Sequence, residues 1–487
     1  MKRRPLAKLF LYRYRFQIGY IILGIAFLGL IFFLPNISPA GLSEAEMSST
    51  VDSYNLHFSS VTTGDLLDLP YHLLQKVSIL LFGFTTFAIK LPSVLLASAL
   101  SFLLILLLNR WFKNNIALLA SILTVLSIPF LYLSGTGTPN IMVVFWPTLL
   151  LWLGSKIQGE EKPRPSYCFL FAFTMLLSIF TPHMIYLNAF IIFFVLINPH
   201  LRFTIKNLPK LPLILTSLII FLGLGMLVLN ILSNPTIALR LFFAENLDFP
   251  HYLNNISLSF APFFSWGTNP EGVLLTPLIG LPSLFLAFTG LFSTVKGFFA
   301  SRNSIATYLL IFTIFVSGFD TNSSLLIILP LSILIAHGLR YILEKWYGIF
   351  PENPYARIFG ILPISIFIII MIFSGLAHFI FGYRYTPSVA NEFNNDLELV
   401  SALSEDTTLL LNEDSLEYRF YYAYEDRTHA IDLAVLPPET ITGTLATLGK
   451  YNFEDYSLEF KGKLDRIITS PKSNNSDRIY LYTAKSE

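Results

Sequence analysis

The chain has 487 residues, of which 54% are hydrophobic and only 13% charged, and its mean hydropathy is +0.63. A water-soluble domain carries about 25% charged residues, so this composition excludes a soluble globular protein and specifies a polytopic membrane protein. The formal charge of +1 excludes a uniformly basic nucleic-acid binder. Cys168, the single cysteine, excludes a disulfide framework or a cysteine-held metal within one chain.

A transmembrane helix needs about 20 mostly apolar residues, and runs free of charge place about eleven of them. They cover approximately 16–34, 88–109, 115–134, 139–156, 166–181, 183–198, 211–232, 273–295, 304–319, 323–342 and 358–382. Charge separates the short pair 166–181 and 183–198 into a hairpin. Lys156, Lys162 and Arg164 precede it and Arg202, Lys206 and Lys210 follow it; a turn at Thr181-Pro182-His183 keeps both clusters on one side. Nineteen Lys and Arg then fall on one face and three, Lys76, Lys90 and Arg240, on the other. The positive-inside rule puts the N-terminus in the cytoplasm and the segment after the last span outside. The first span is too long for a signal-peptide core and reads as an uncleaved anchor in a multi-pass cell-membrane protein.

Two long loops, about 35–87 and 233–272, lie on the outer side. The membrane part is expected to end near 382, and residues 383–487 to form a small extracytoplasmic α/β domain. Its signals are a helical stretch near 392–404, a β-like run at Thr407–Leu411 and a helical run holding Tyr418, Phe420, Tyr421, Tyr422 and Tyr424. A helix after Pro437-Pro438 and strands near Arg466–Thr469 and Arg478–Thr483 complete it. Split this way, the membrane part carries 22 basic and 13 acidic residues and the C-terminal part 10 and 18. The near-zero total hides two opposite charges.

The span centres contain essentially no Asp, Glu, Lys or Arg. Intramembrane charge marks ion and solute pathways, so its absence favours chemistry at the outer surface over translocation. The eight histidines show no HExxH or HxH spacing, so a metal would have to be held by carboxylates. Whether a divalent cation is used stays open on the sequence.

The first outer loop runs Gly41-Leu42-Ser43-Glu44-Ala45-Glu46, then Asp52, then Pro70-Tyr71-His72-Leu73-Leu74-Gln75-Lys76, Phe82-Gly83 and Lys90-Leu91-Pro92-Ser93. With Pro129–Ser134, Thr138-Pro139-Asn140, Asn255–Gly267 and Gly280-Leu281-Pro282, this ordered series resembles the GT-C membrane glycosyltransferases, in the branch of protein O-mannosyltransferases and aminoarabinose transferases. The resemblance implies a polytopic α-helical fold with interfacial helices in the first outer loop. It implies transfer of a sugar from a polyprenyl-phosphate donor in the membrane lipid to an extracytoplasmic protein, lipid or glycan acceptor. Aligning Gly41-Leu42 with the family puts Ala45 at its usual Asp and Glu46 at its usual Glu; a one-residue shift puts Glu44 at the Asp.

Such a transfer needs a carboxylate to take the acceptor proton and a cation to stabilise the departing phosphate. A single displacement inverts the anomeric centre. Glu46 or Glu44 is the expected base, with Asp52 as partner or metal ligand. Lys90, Lys76 and Arg240 are the expected phosphate ligands, and Tyr71, His72 and Trp266 are placed along an acceptor or lipid groove. Two structural readings stand beside these: Ser43-x-x-Glu46 is also a capping box, and Lys90 at a span boundary is also a snorkelling anchor. The competing functional class is a non-catalytic polytopic protein, either a lipid-linked glycan flippase or a degenerate transferase scaffold.

Overall fold

Every expected span from residue 88 onward overlaps helix in the computed structural model, although 115–134 is broken into two helices and 273–295 becomes helical only at Leu281. The structure describes residues 24–25, 28–29, 32–33, 39–56, 66–159, 164–197, 202–203, 206, 210–242, 249–265, 274–297, 301–349, 354–404, 407–435, 444–449, 462–469 and 477–484. Most of span 16–34, His57, Trp266 and the expected helix after Pro437-Pro438 lie outside the described residues.

The chain enters through β1 (Leu42–Ser43), α1 (Glu44–Asn55) and α2 (Leu69–Phe82), the two helices of the first loop. The helical bundle follows as α3 (Thr86–Trp111), α4 (Asn114–Val125), α5 (Ile128–Gly135), α6 (Ile141–Gln158), α7 (Pro165–Ser178), α8 (Met184–Ile197) and α9 (Lys210–Ser233). The second long loop holds α10 (Thr236–Phe242) and α11 (Phe249–Phe264). The bundle closes with α12 (Leu281–Lys296), α13 (Ser301–Ser317), the 3-10 turn Thr321–Ile327, α14 (Ile328–Ile349) and α15 (Pro354–Tyr385).

Among the described residues, four helices are long and apolar enough to cross a bilayer alone; α4 and α5, bent by 62° at their junction, make a fifth together. Pro129 sits in the first turn of α5, where its missing N–H costs nothing to the new helix but ends the hydrogen-bond ladder of the old one. The remaining bundle helices are shorter. Large apolar side chains such as Phe221, Phe285, Phe288 and Phe373 point outward, as a lipid-facing surface requires, while backbone polar groups are satisfied within each helix. A close helix crossing uses Gly290 of α12 and Gly338 of α14: a Cβ at Gly290 would collide with the carbonyl of Leu334, and one at Gly338 with that of Leu286. Small residues permit this approach where no hydrophobic effect drives helices together.

At one end of the bundle the loops are pinned by backbone bonds. Asp68 N–H donates to the Phe180 carbonyl at 2.8 Å, and His183 N–H to that of Leu241 at 3.1 Å. His183 occupies the expected 181–183 turn with a left-handed φ of 61°.

Beyond α15 come α16 (Pro387–Ala390), β2 (Phe393–Asn394), α17 (Asp396–Val400), β3 (Thr407–Leu411), α18 (Leu416–Thr428), β4 (Asp432–Val435), β5 (Thr444–Leu448), β6 (Gly462–Thr469) and β7 (Arg478–Ala484). The sheet runs β4-β3-β5-β7-β6, with β4, β3 and β5 parallel and β7 antiparallel to both neighbours. β2 leaves this unit and pairs antiparallel with β1, Leu42 opposite Asn394 and Ser43 opposite Phe393. One apolar core accordingly joins Leu42, Met47 and Val51 of the loop and Phe84 and Ile89 of the bundle to Leu397, Leu409, Phe420 and Tyr421 of the C-terminal part. Phe84 meets the rings of Phe420 and Tyr424 edge-on at 5.3 and 5.5 Å.

Candidate functional site

α1 begins as a full capping box. Ser43 takes extended backbone, its hydroxyl accepts from Glu46 N–H, and the Glu46 carboxylate returns to Ser43. That carboxylate does more than cap. Oε2 accepts from Ser43 N–H at 2.9 Å and from its hydroxyl at 3.1 Å, while Oε1 accepts from Gly137 N–H at 2.6 Å. The Lys90 ammonium stands 3.9 Å from Oε1. Glu46 is wholly buried and Lys90 is 4% exposed. A buried ion pair is tolerable only when its remaining lone pairs and protons are satisfied, and here Gly137, Ser43 and the Pro39 carbonyl, 2.9 Å from Nζ, do so.

Position 137 must be glycine, because a Cβ there would stand 2.8 Å from the Ile89 carbonyl and 2.9 Å from the Ile89 side chain. Next to it Gln75 of α2 donates to the carbonyls of Ile89 at 3.2 Å and Gly137 at 3.1 Å. Its Oε1 accepts from Ser49 at 2.9 Å and Ser53 at 2.6 Å. Ser53 is also 2.9 Å from Nδ1 of His72, and burial pushes the His72 imidazole down to about 4. The Tyr71 hydroxyl bonds that of Ser93 at 2.8 Å; burial raises its phenol far above the usual range. Three segments distant in sequence, α1, α2 and the α5–α6 turn, are thereby clamped over the start of α3.

The structure brings Glu46, Lys90, Tyr71 and His72 to this region. Glu44 and Asp52, on the same helix as Glu46, are on its exposed side. Lys76 donates to the carbonyls of Tyr54 (3.3 Å) and Leu56, so it caps the C-terminal end of α1, where a cation meets the negative end of the helix dipole. Burial first, and Arg427 second, lower its ammonium. Arg240 is exposed in the last turn of α10 and does not line the cavity described next.

Lys90 lines a cavity of 290 Å³ whose other walls include Gly41, Phe84, Thr85 and Thr86, and Asn395, Glu398 and Ser401 around α17. Sequence reasoning located Lys90 but not the residues after β2. Glu398 sits in a short polar helix with no spacing signal, and only the β1–β2 pairing carries it to the loop. Among the described residues no three of His, Cys, Asp and Glu gather. The Glu46 carboxylate already faces the N–H and O–H donors of Ser43 and Gly137 and the Lys90 ammonium, which does not fit a ligand of a divalent cation.

A nearly buried cationic side chain that lines a small polar cavity can bind and neutralise an anionic group such as a phosphate. Comparison with known proteins identifies the fold. Residues 70–226 match the family model described as dolichyl-phosphate-mannose-protein mannosyltransferase. No curated protein matches the chain by sequence. Among solved structures, ArnT from Cupriavidus metallidurans in the apo state is 11% identical, with a TM-score of 0.54 over 96% of this chain and 98% of that one. The same protein bound to undecaprenyl phosphate is 10% identical, with a TM-score of 0.53 and the same coverage. The chain is therefore a multi-pass membrane protein that shares the fold of ArnT over nearly its whole length, and its residues 70–226 match the mannosyltransferase family model.

Proposed function

We propose that the protein transfers a sugar from a polyprenyl-phosphate donor to an acceptor on the extracytoplasmic side of the cell membrane, the face on which the first loop and the C-terminal part lie. The observation that carries this reading is Lys90: a lysine 4% exposed, ion-paired with a wholly buried carboxylate and lining a cavity at the loop end of the bundle. A surface anchor would reach water instead.

In this mechanism the acceptor hydroxyl attacks the anomeric carbon, its proton passes to solvent water because the expected carboxylates are engaged or lie outside the cavity, and the C1–O bond to phosphate breaks. The lipid phosphate departs as an anion held by Lys90, without needing a general acid, and the anomeric centre inverts. Glu46 has its oxygens occupied by Ser43 and Gly137, which supports a positioning role: it fixes the Lys90 ammonium and joins α1 to the α5–α6 turn. Glu44 and Asp52 have the exposure of solvated helix residues, and Lys76 and Arg240 serve elsewhere than the cavity. Tyr71 and His72 brace the wall behind Lys90.

Purified protein in detergent, given polyprenyl-phosphate-linked sugars and a panel of protein, lipid and glycan acceptors, is expected to show transfer with an inverted product. Lys90→Ala is expected to lower kcat by about 100-fold or more, the scale of losing one charge-stabilising group. Undiminished transfer by Lys90→Ala would overturn the assignment of the phosphate site. A protein that moves a fluorescent polyprenyl-linked glycan across proteoliposomes with no glycosyl transfer would overturn the reaction itself.

A further inference from the structure

The cavity in front of Lys90 has an asymmetry that a phosphate alone does not explain. Lys90, Thr85 and Thr86 line it from the bundle, and Asn395, Glu398 and Ser401 line it from the C-terminal part. Phe84, 93% buried in the joint core, offers an aromatic wall between them. A free phosphate or nucleotide would meet Lys90 favourably and Glu398 unfavourably, and a cationic ligand the reverse. A ligand with a phosphate at one end and neutral hydroxyls at the other satisfies both walls, because a carboxylate accepts hydrogen bonds from hydroxyls without a charge partner.

The size is also restrictive. Small-ligand pockets begin at about 300 Å³, so a cavity of 290 Å³ matches a single ring.

The placement of the Glu398 wall is built in. Asn395 is 5% exposed, and both its backbone N–H (3.3 Å) and its amide (3.4 Å) donate to Asp477 at the start of β7. The preceding residues are locked to the loop by the β1–β2 pair, and Leu397 and Val400 are embedded in the joint core. Glu398 and Ser401 thus project from a turn whose intervening residues are anchored, which is the preorganisation a specificity site needs.

We infer that residues 395–401 form the sugar-reading wall of the site, in which Glu398 and Ser401 hydrogen-bond the hydroxyls of a single glycosyl ring whose phosphate lies on Lys90. This inference rests on the proposed transferase reading and deepens it: the C-terminal part supplies sugar specificity, and the bundle supplies the phosphate site.

The test is isothermal titration of the full-length protein in detergent with inorganic phosphate and with a panel of hexose and pentose 1-phosphates. Wild type is expected to bind at least one sugar 1-phosphate about tenfold or more tightly than inorganic phosphate, the scale of one or two hydrogen-bonded hydroxyls. Glu398→Ala and Ser401→Ala are expected to erase most of that preference while binding inorganic phosphate at least as well as wild type. Lys90→Ala is expected to lose inorganic phosphate. A preference unchanged in both Glu398→Ala and Ser401→Ala, or no preference in wild type, overturns the sugar-reading wall. Phosphate binding unaffected by Lys90→Ala overturns the underlying phosphate site, so the two failures are told apart.

Discussion

Gly41 has a φ of 84°, and a Cβ there would collide with the Asn394 carbonyl that β1 pairs beside. The residue is needed twice over, for left-handed backbone and for close approach. Gly41→Ala is expected to open the β1–β2 pair, seen as faster tryptic cleavage between the loop and the C-terminal part and a stability loss of about 1–3 kcal/mol. At the same scale, the positioning role of Glu46 makes a specific claim about coupling. If the carboxylate acts through Lys90, the double variant Glu46→Gln/Lys90→Met transfers no more slowly than Lys90→Met alone, whereas independent roles would multiply. Glu46→Gln alone should also lower the thermal midpoint, since removing one member of a buried pair costs about 3–5 kcal/mol.

Helix α1 was legible as a capped helix because Ser43-x-x-Glu46 is a local signal, and the structure contains that box. The second use of Glu46 was not legible: its partner is the backbone N–H of Gly137, and a backbone donor has no side chain to announce it. Likewise the span pattern followed from apolar run length, but the Gln75–Ser49–Ser53–His72 network did not, since its members are scattered polar residues joined only by the packing of α1 on α2. The strands β3, β6 and β7 stood out by composition. β4 and β5 are four and five residues long and lack alternation, and β1 and β2, at two residues each, acquire meaning only from each other. The α1–α2 network sets a pH dependence. His72 is held neutral, its value dropping from 6.5 to about 4 through burial. Between those values the unfolded chain binds a proton that the folded chain does not. Stability is therefore complete above about pH 6.5 and falls as pH drops toward 4, by at most about 1.4 kcal/mol per pH unit from this group. Thermal midpoints across pH 4–7 should show that slope in wild type and a shallower one in His72→Asn.

For the whole molecule, the expected boundary near residue 383 marks a change of composition, while the apolar core crosses it. Phe84 and Met47 pack with Phe420 and Tyr421, and Tyr54 donates to Asp426 at 2.8 Å. A chain ending after Tyr385 is expected to insert in the membrane but to leave α1 undocked. Its transfer activity should be lost, and α1 should exchange amide hydrogens at the rate of an open loop. Retained transfer would show that the bundle is sufficient by itself.

The two-residue pair between β1 and β2 has a consequence in time as well as in space. Leu42 emerges early and its partner Asn394 roughly 350 residues later, which at about 5–20 residues per second is a delay on the order of tens of seconds. Throughout that interval the bundle is assembling while the wall opposite Lys90 does not yet exist. An unfinished chain thus carries Lys90 well before residues 395–401, the far lining of its cavity, have been made.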